Sequence, residues 1–154
     1  MGAVTDLSFW GESEHGIDDK GRLIIPLEYR RLLGAECVLT RGPDRVVLIF
    51  RSAVWAQVEA RLYGDVLGSR SRILQRLFSS RSAVKLDARS RVAIPKALRE
   101  WAGIEPSDRV VLLGQGQSIE VWSKDNWAQY QTTFTSANTL EVAAEMGLGD
   151  LFKL

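Results

Sequence analysis

DDKGRLIIPLEYRRLLG (residues 18–34) returns, 69 residues later, as DARSRVAIPKALREWAG (residues 87–103). Asp18 falls on Asp87, Arg22 on Arg91, Ile25 on Ile94, Pro26 on Pro95, Arg30 on Arg99 and Gly34 on Gly103. The correspondence resumes further on. VVLIFRSAVWAQ (46–57) parallels SIEVWSKDNWAQ (118–129) at an offset of 72, so the second copy has gained three residues. A repeat that keeps an Asp, an Arg and a Pro at fixed spacing describes a duplicated unit with a pseudo-two-fold. DNA is the commonest partner that repeats in the same way.

Each copy reads as the same run of elements. GESEHGI is a short extended stretch, and residues 18–22 form a turn in which Gly21 supplies a conformation disfavoured by a Cβ. Leu23, Ile24 and Ile25 are a brief apolar strand, Pro26 is pre-set for a first helical turn, and LEYRRLL is a two-turn helix closed by Gly34. ECVLT and RVVLIF then flank RGPD as a hairpin, and Ser52 stands where it can cap a helix running to Leu62. The second copy follows suit, with strand Val92–Ile94, a helix from Pro95 to Gly103, a hairpin around GQGQ, and a helix after Ser123 that contains Trp127. Between the copies, a helix over residues 67–78 would align Ile73, Leu74, Leu77 and Phe78 on one face. A weakly amphipathic tail helix is expected after Phe134.

Half-chains this short and hairpin-rich cannot each bury a good core, so their strands should pack together across the pseudo-two-fold. The fold class expected is therefore mainly β with short helices (α+β), a pseudo-symmetric β-core built by two tandem repeats. The organisation expected is an N-terminal extension (1–10), repeat 1 (11–57), a helical bridge (58–84), repeat 2 (85–130) and a C-terminal tail (131–154).

Composition narrows the function. The 154 residues are 45% apolar, a globular value, and no apolar run approaches the length of a membrane span. The N-terminus has no basic region followed by an apolar core, so it does not read as a secretory signal. The single cysteine, Cys37, lies in an apolar run and reads as core filling; it excludes an intrachain disulfide and fits a reducing cytoplasm. Net charge is only +1, but it is unevenly spread: residues 1–14 carry −3, 15–86 carry +6 and 87–154 carry −2. The basic middle is either a solvated arginine-rich face or an electrostatic footprint for phosphate.

The chemistry lies in the motif Asp-x-x-Gly/Ser-Arg, followed by three apolar residues and Pro. The Arg stands where a tight turn meets a strand, and the Asp four residues earlier can accept from the guanidinium and from turn amides, holding the loop and aiming the Arg. A guanidinium aimed in this way suits bidentate reading of guanine O6 and N7 in the major groove, or pairing with a phosphate. Lys20 and Arg89 stand beside the two arginines and would add phosphate contacts. On spacing alone, turn-stabilising ion pairs and nothing more explain Asp18–Arg22 and Asp87–Arg91 equally well.

Rival chemistries find little support. His15 is the sole histidine, has no Cys or second His to form a metal site, and no Ser-His-Asp set repeats with the duplication. Residues 114–117 (GQGQ) lack the Gly-Lys-Ser/Thr ending of a P-loop and read as a hairpin turn. No enzymatic activity, metal or cofactor is expected.

At these motifs the chain resembles the MraZ family of bacterial transcriptional regulators, built from two SpoVT/AbrB-like units. GESEHGIDDKGRLIIP is similar to the family's opening segment, LDARSRVAIP (86–95) stands where the family has its second Asp-x-x-Gly-Arg motif, and RILQRLFSSRSAVKLD between them is also family-like. The resemblance covers residues 9–130. Two departures stand out: about eight residues precede the usual start, and Ser90 replaces the second glycine, where a Cβ makes positive φ more costly. The resemblance implies a swapped-hairpin AbrB-like core within one chain and a ring-shaped homo-oligomer. It implies a cytoplasmic, nucleoid-associated regulator, often a repressor, of the division and cell-wall gene cluster, which binds double-stranded DNA at G-containing direct repeats in its own promoter. Carried over, Asp18, Lys20, Gly21, Arg22, Asp87 and Arg91 would be the DNA-facing residues, with Arg89 added by position. The competing expectation is an AbrB-like interaction or assembly module without specific DNA binding.

Overall fold

The computed structural model describes residues 8–64 and 68–152. The chain divides into two compact units, residues 1–124 and 125–154.

In the first unit, the opening stretch is β1 (Glu12–Gly16) and the motif runs into β2 (Arg22–Ile24). Pro26 then starts α1 (Leu27–Leu33), and the hairpin is β3 (Glu36–Gly42) and β4 (Val46–Arg51). α2 (Ser52–Gly64) and α3 (Ser71–Leu77) lead to β5 (Ser82–Lys85). β5 is the second copy's counterpart of β1, and that copy goes on to β6 (Arg91–Ala93), α4 (Lys96–Ala102), β7 (Arg109–Gly114) and β8 (Ser118–Ser123). The two prolines have nearly identical backbones, φ −56°, ψ 147° at Pro26 and φ −54°, ψ 145° at Pro95, and each helix closes on a positive-φ glycine, Gly34 and Gly103.

Six strands form one antiparallel sheet in the order β1-β7-β8-β4-β3-β5, and β2 pairs with β6 in a separate two-stranded ribbon. The order interlocks the copies. β1 of the first pairs with β7 of the second, β5 of the second pairs with β3 of the first, and β4 and β8 meet in the middle. Equivalent residues face each other across the axis, Leu48 opposite Glu120 in the sheet and Leu23 opposite Val92 in the ribbon. The mainly-β, tandem-repeat fold expected from the sequence is the one found.

Register also explains the length difference between copies. Leu39 pairs with Ile49 and Leu112 with Val121, so equivalent residues are 73 apart in the first hairpin strands but 72 apart in the second. The net gain of three is thus four residues inserted before β7 and one removed from the hairpin turn. The insertion, Glu105–Asp108, is a turn that docks on the first motif: the Ser107 amide donates to the Asp18 carbonyl (3.1 Å), and the Ile17 amide to that of Asp108 (2.8 Å).

One core is fed by both copies. Leu23, Ile25, Leu39 and Ile49 are buried with Val92, Ile94, Leu112 and Val121. Each such side chain contributes about 1.5–3 kcal/mol of burial, and half of each cluster is missing from either copy alone. Phe9 is fully buried as well, edge-on to Tyr29 with centroids 5.5 Å apart, and bridges to Gly116 through two backbone bonds. On the opposite face of the sheet, Trp55 of α2 packs between Phe50 and Phe78.

Two local expectations change. Ser52 is the first residue of α2 and its hydroxyl donates to the Glu36 carbonyl (3.3 Å), tying the helix to β3. Of the apolar face expected along α3, only Phe78 is buried, while Ile73 is 71% exposed; Leu67 lies outside the described residues. In the second unit, α5 (Lys124–Gln131) carries Trp127, which clusters with Tyr130 and Phe134. The expected tail helix is α6 (Ser136–Glu145), capped by Thr135, whose hydroxyl accepts from the Asn138 amide at 3.1 Å.

Candidate nucleic-acid interface

Both motifs fold into the same closed loop. The Asp18 amide donates to the Arg22 carbonyl (3.0 Å) and the Gly21 amide to the Asp18 carbonyl (3.1 Å). Oδ1 of Asp18 accepts from the amides of Lys20 (2.9 Å) and Arg22 (2.8 Å), while Oδ2 takes the Arg22 Nε–H at 2.7 Å. In the second copy Asp87 Oδ1 accepts from the Arg89 and Arg91 amides, both at 2.9 Å, and Oδ2 takes Arg91 Nε–H at 2.7 Å. The fourth residue of each loop is left-handed, Gly21 at φ +76° and Ser90 at φ +60°. Each loop is a tight turn followed by a left-handed residue, the geometry that closes a short hairpin; here Ile17 bridges to Leu23.

The ribbon brings the two loops together. Arg22 pairs with Ala93 and Arg91 with Ile24, so both arginines occupy one two-stranded element. Arg91 Nη1 lies 3.7 Å from Asp18 Oδ2, a contact between the motifs. The loops are also stitched reciprocally, Ile25 amide to Ser90 carbonyl (2.9 Å) and Ile94 amide to Gly21 carbonyl (3.0 Å). Behind them, Arg30 Nε donates to the Ile25 carbonyl (2.6 Å) and Arg99 Nε to that of Ile94 (3.0 Å).

The electrostatics follow from these bonds. Desolvation pushes the Asp18 carboxyl up, but the Arg22 amide, the Arg22 guanidinium and the Lys20 amide together outweigh it and hold the group at about 2. The Asp87 carboxyl is held below its ordinary value by the Arg91 amide first, with desolvation opposing and the Arg91 guanidinium and Arg89 amide adding to it. Both stay charged at neutral pH and orient their arginines through Nε, leaving the outer edge of Arg22 without a partner among the described residues. Lys20 and Arg89 are exposed, with side chains unpaired among those residues. A charged, pre-aimed guanidinium can accept a bidentate partner at little entropic cost.

All seven residues singled out by sequence are therefore in this one place. What spacing did not reveal is that the copies meet there, that Arg99 lies across Gly21, and that the Glu105–Asp108 turn braces Asp18. A Cβ on Gly21 would stand 2.6 Å from Arg99 Nε. Other candidate chemistry lies elsewhere. Cys37 is buried and burial pushes its thiol up to about 12, so it is a core residue and no nucleophile. His15 on β1 pairs with the Ser13 hydroxyl at 2.7 Å. Residues 114–117 form the β7–β8 turn, where Gly114 passes so close to the backbone of Trp10 that a Cβ would lie 2.3 Å from its nitrogen.

Fold and site together define a duplicated, strand-interlocked β-core protein that presents paired Asp–Arg turns on a shared ribbon. The chain belongs to the MraZ family, whose model, "MraZ protein, putative antitoxin-like", matches residues 8–68 and 77–149. It is 37% identical to the transcriptional regulator MraZ of Lactiplantibacillus plantarum, over 90% of this chain and 97% of the relative. It is 42% identical to that of Roseiflexus castenholzii, over 77% of this chain and 83% of the relative. The solution structure of PHS018 from Pyrococcus horikoshii aligns with 75% of this chain and 95% of that one at 16% identity and a TM-score of 0.34, a likeness too distant to bear on the fold. No helix among the described residues is long and apolar enough to cross a membrane.

Proposed function

We propose that the chain is a sequence-specific DNA-binding transcriptional regulator and that the paired loops are its reading head. The observation that carries this is the meeting of two aspartate-held arginines, Arg22 and Arg91, on one two-stranded ribbon flanked by the exposed cations Lys20 and Arg89. A two-stranded ribbon fits the major groove, where an arginine reads guanine O6 and N7 and neighbouring cations take phosphates. The names of the curated relatives agree with this role. Asp18, Gly21 and Asp87 shape the loops, and the four cations make the contacts. The target is double-stranded promoter DNA with G-containing direct repeats upstream of the division and cell-wall cluster, bound by a ring-shaped homo-oligomer acting as a repressor in the cytoplasm at the nucleoid. Repeated subunits on repeated sites would multiply a weak single contact by ~10²–10⁴.

The test is fluorescence anisotropy with the protein's own upstream DNA against a scrambled duplex at matched salt. Arg22→Ala should weaken specific binding by about 1–3 kcal/mol while leaving the fold intact. Wild-type affinity in that variant would make the loop structural and the assignment wrong. The second reading, an assembly module without specific DNA binding, draws on the exposed apolar residues of α6 and its flanks, and predicts equal affinity for both duplexes.

A further inference from the structure

Two helices in the chain carry matched, unsatisfied faces of opposite charge. On α3, Arg72 and Arg76 stand one turn apart, both exposed, beside Ile73, which is 71% exposed. Residues 68–81 contain four arginines and no acid. On α6, Glu141 and Glu145 stand one turn apart, both exposed, and Glu141 is flanked by Leu140 and Val142, each 50% exposed. Residues 125–152 contain four acids and no Lys, Arg or His. None of these four charged side chains has an ion pair or hydrogen bond among the described residues.

The two elements occupy equivalent places in the duplication: each follows a hairpin and a tryptophan-bearing helix, α2 with Trp55 and α5 with Trp127. α3 is held firmly, since Arg41 donates to the carbonyls of Arg76 (2.8 Å) and Leu77 (3.1 Å), and Gln75 to that of Leu62 (3.0 Å). Beside α6 lies an apolar groove of about 540 Å³ lined by Phe134, Val142, Met146, Leu148 and Phe152.

We infer that the α6 face of one copy docks on the α3 face of the next, Glu141 and Glu145 against Arg72 and Arg76, with Ile73 seated in the apolar groove. The occupant is a second copy of this chain because the complementary surface is on the chain itself. The contact is head-to-tail, using different patches on the two partners, so it propagates and closes into a ring if the rotation allows. Apolar burial supplies the affinity, while the charge rows set the register and exclude α3–α3 and α6–α6 pairings. The inference rests on the homo-oligomer proposed above and gives it an interface.

The experiment is light scattering of the full chain without DNA, with circular dichroism of every sample. Variant R72E/R76E has two acidic faces and variant E141R/E145R two basic ones, so each alone should fall from the wild-type mass to the 17.2 kDa of one chain. Mixed one to one, they should recover the wild-type mass, because each face again meets its opposite. A monomeric wild type, an unchanged mass in either variant, or dissociation without recovery on mixing would overturn the interface. Should a charge-reversed variant lose its helical signal, the neutral pair R72Q/R76Q serves instead, with dissociation expected and an unchanged mass overturning the interface. Arg22→Ala must assemble as wild type, so failure of the interface and failure of the DNA reading are separable.

Discussion

Gly21→Ala is the sharpest probe of the loop. Gly21 sits at φ +76°, where a Cβ costs about 1–2 kcal/mol. The new methyl would also stand 2.6 Å from Arg99 Nε, so the guanidinium must move and its 3.0 Å bond to the Ile94 carbonyl is strained or lost, about 1 kcal/mol more. The stiffer unfolded chain returns about 0.4–1 kcal/mol. The net is roughly 1–2.6 kcal/mol, or about 2–10 °C in Tm for a chain of this length. Ser90→Ala is the internal control. Ser90 occupies the equivalent position at φ +60°, already carries a Cβ, and its hydroxyl makes no hydrogen bond among the described residues, so it should be neutral to within about 0.5 kcal/mol. Urea unfolding at fixed protein concentration gives both values. Repeating Gly21→Ala in an Arg99→Ala background should cut its cost by about 1 kcal/mol, the mark of a direct contact. Equal effects at positions 21 and 90, or no coupling to Arg99, would refute the account of the loop.

Three further outcomes are expected. The Asp18 carboxyl, held at about 2 against an ordinary 3.8, contributes stability that is complete above the ordinary value and lost as pH falls toward 2; urea midpoints between pH 5 and pH 2 should drop more steeply for wild type than for Asp18→Asn, and parallel curves would contradict it. Cys37, buried with its thiol pushed up to about 12, should react with a thiol reagent at pH 8 only at the rate of opening, so rapid modification of the native protein would exclude the buried placement. Phe9→Ala should cost about 3–5 kcal/mol, because the ring is fully buried against Tyr29; a change under 1 kcal/mol in thermal unfolding would remove residue 9 from the core.

The repeat made much of this legible. Pro26 and Pro95 fix φ, the outer residues of the apolar triplets before them (Leu23 and Ile25, Val92 and Ile94) go into a shared core, and Gly34 and Gly103 close the helices, so element order follows from local chemistry. The Asp–Arg bond was legible for the same reason: four residues of tight turn leave the carboxylate within reach of little else. What local pattern cannot carry is pairing across the copies. Nothing in ESEHG or SAVK says that β1 joins β7 and β5 joins β3, since either strand alternates equally well beside its own copy's hairpin. The brace on Asp18 was hidden likewise, because a four-residue insertion and a one-residue deletion read in sequence only as their difference. Phe9 carried one missed signal, an aromatic ahead of the first recognisable repeat residue, and α3 offered a false one, since helical spacing of Ile73 and Leu74 marks an apolar face without saying what meets it.

The interlocked strands make this chain, in effect, a homodimer whose two subunits have been written into one gene. A true homodimer must accept every substitution in duplicate. Here Gly21 and Ser90, and the brace that only one motif possesses, were free to part company, so the two turns share one backbone plan while differing in what holds each in place.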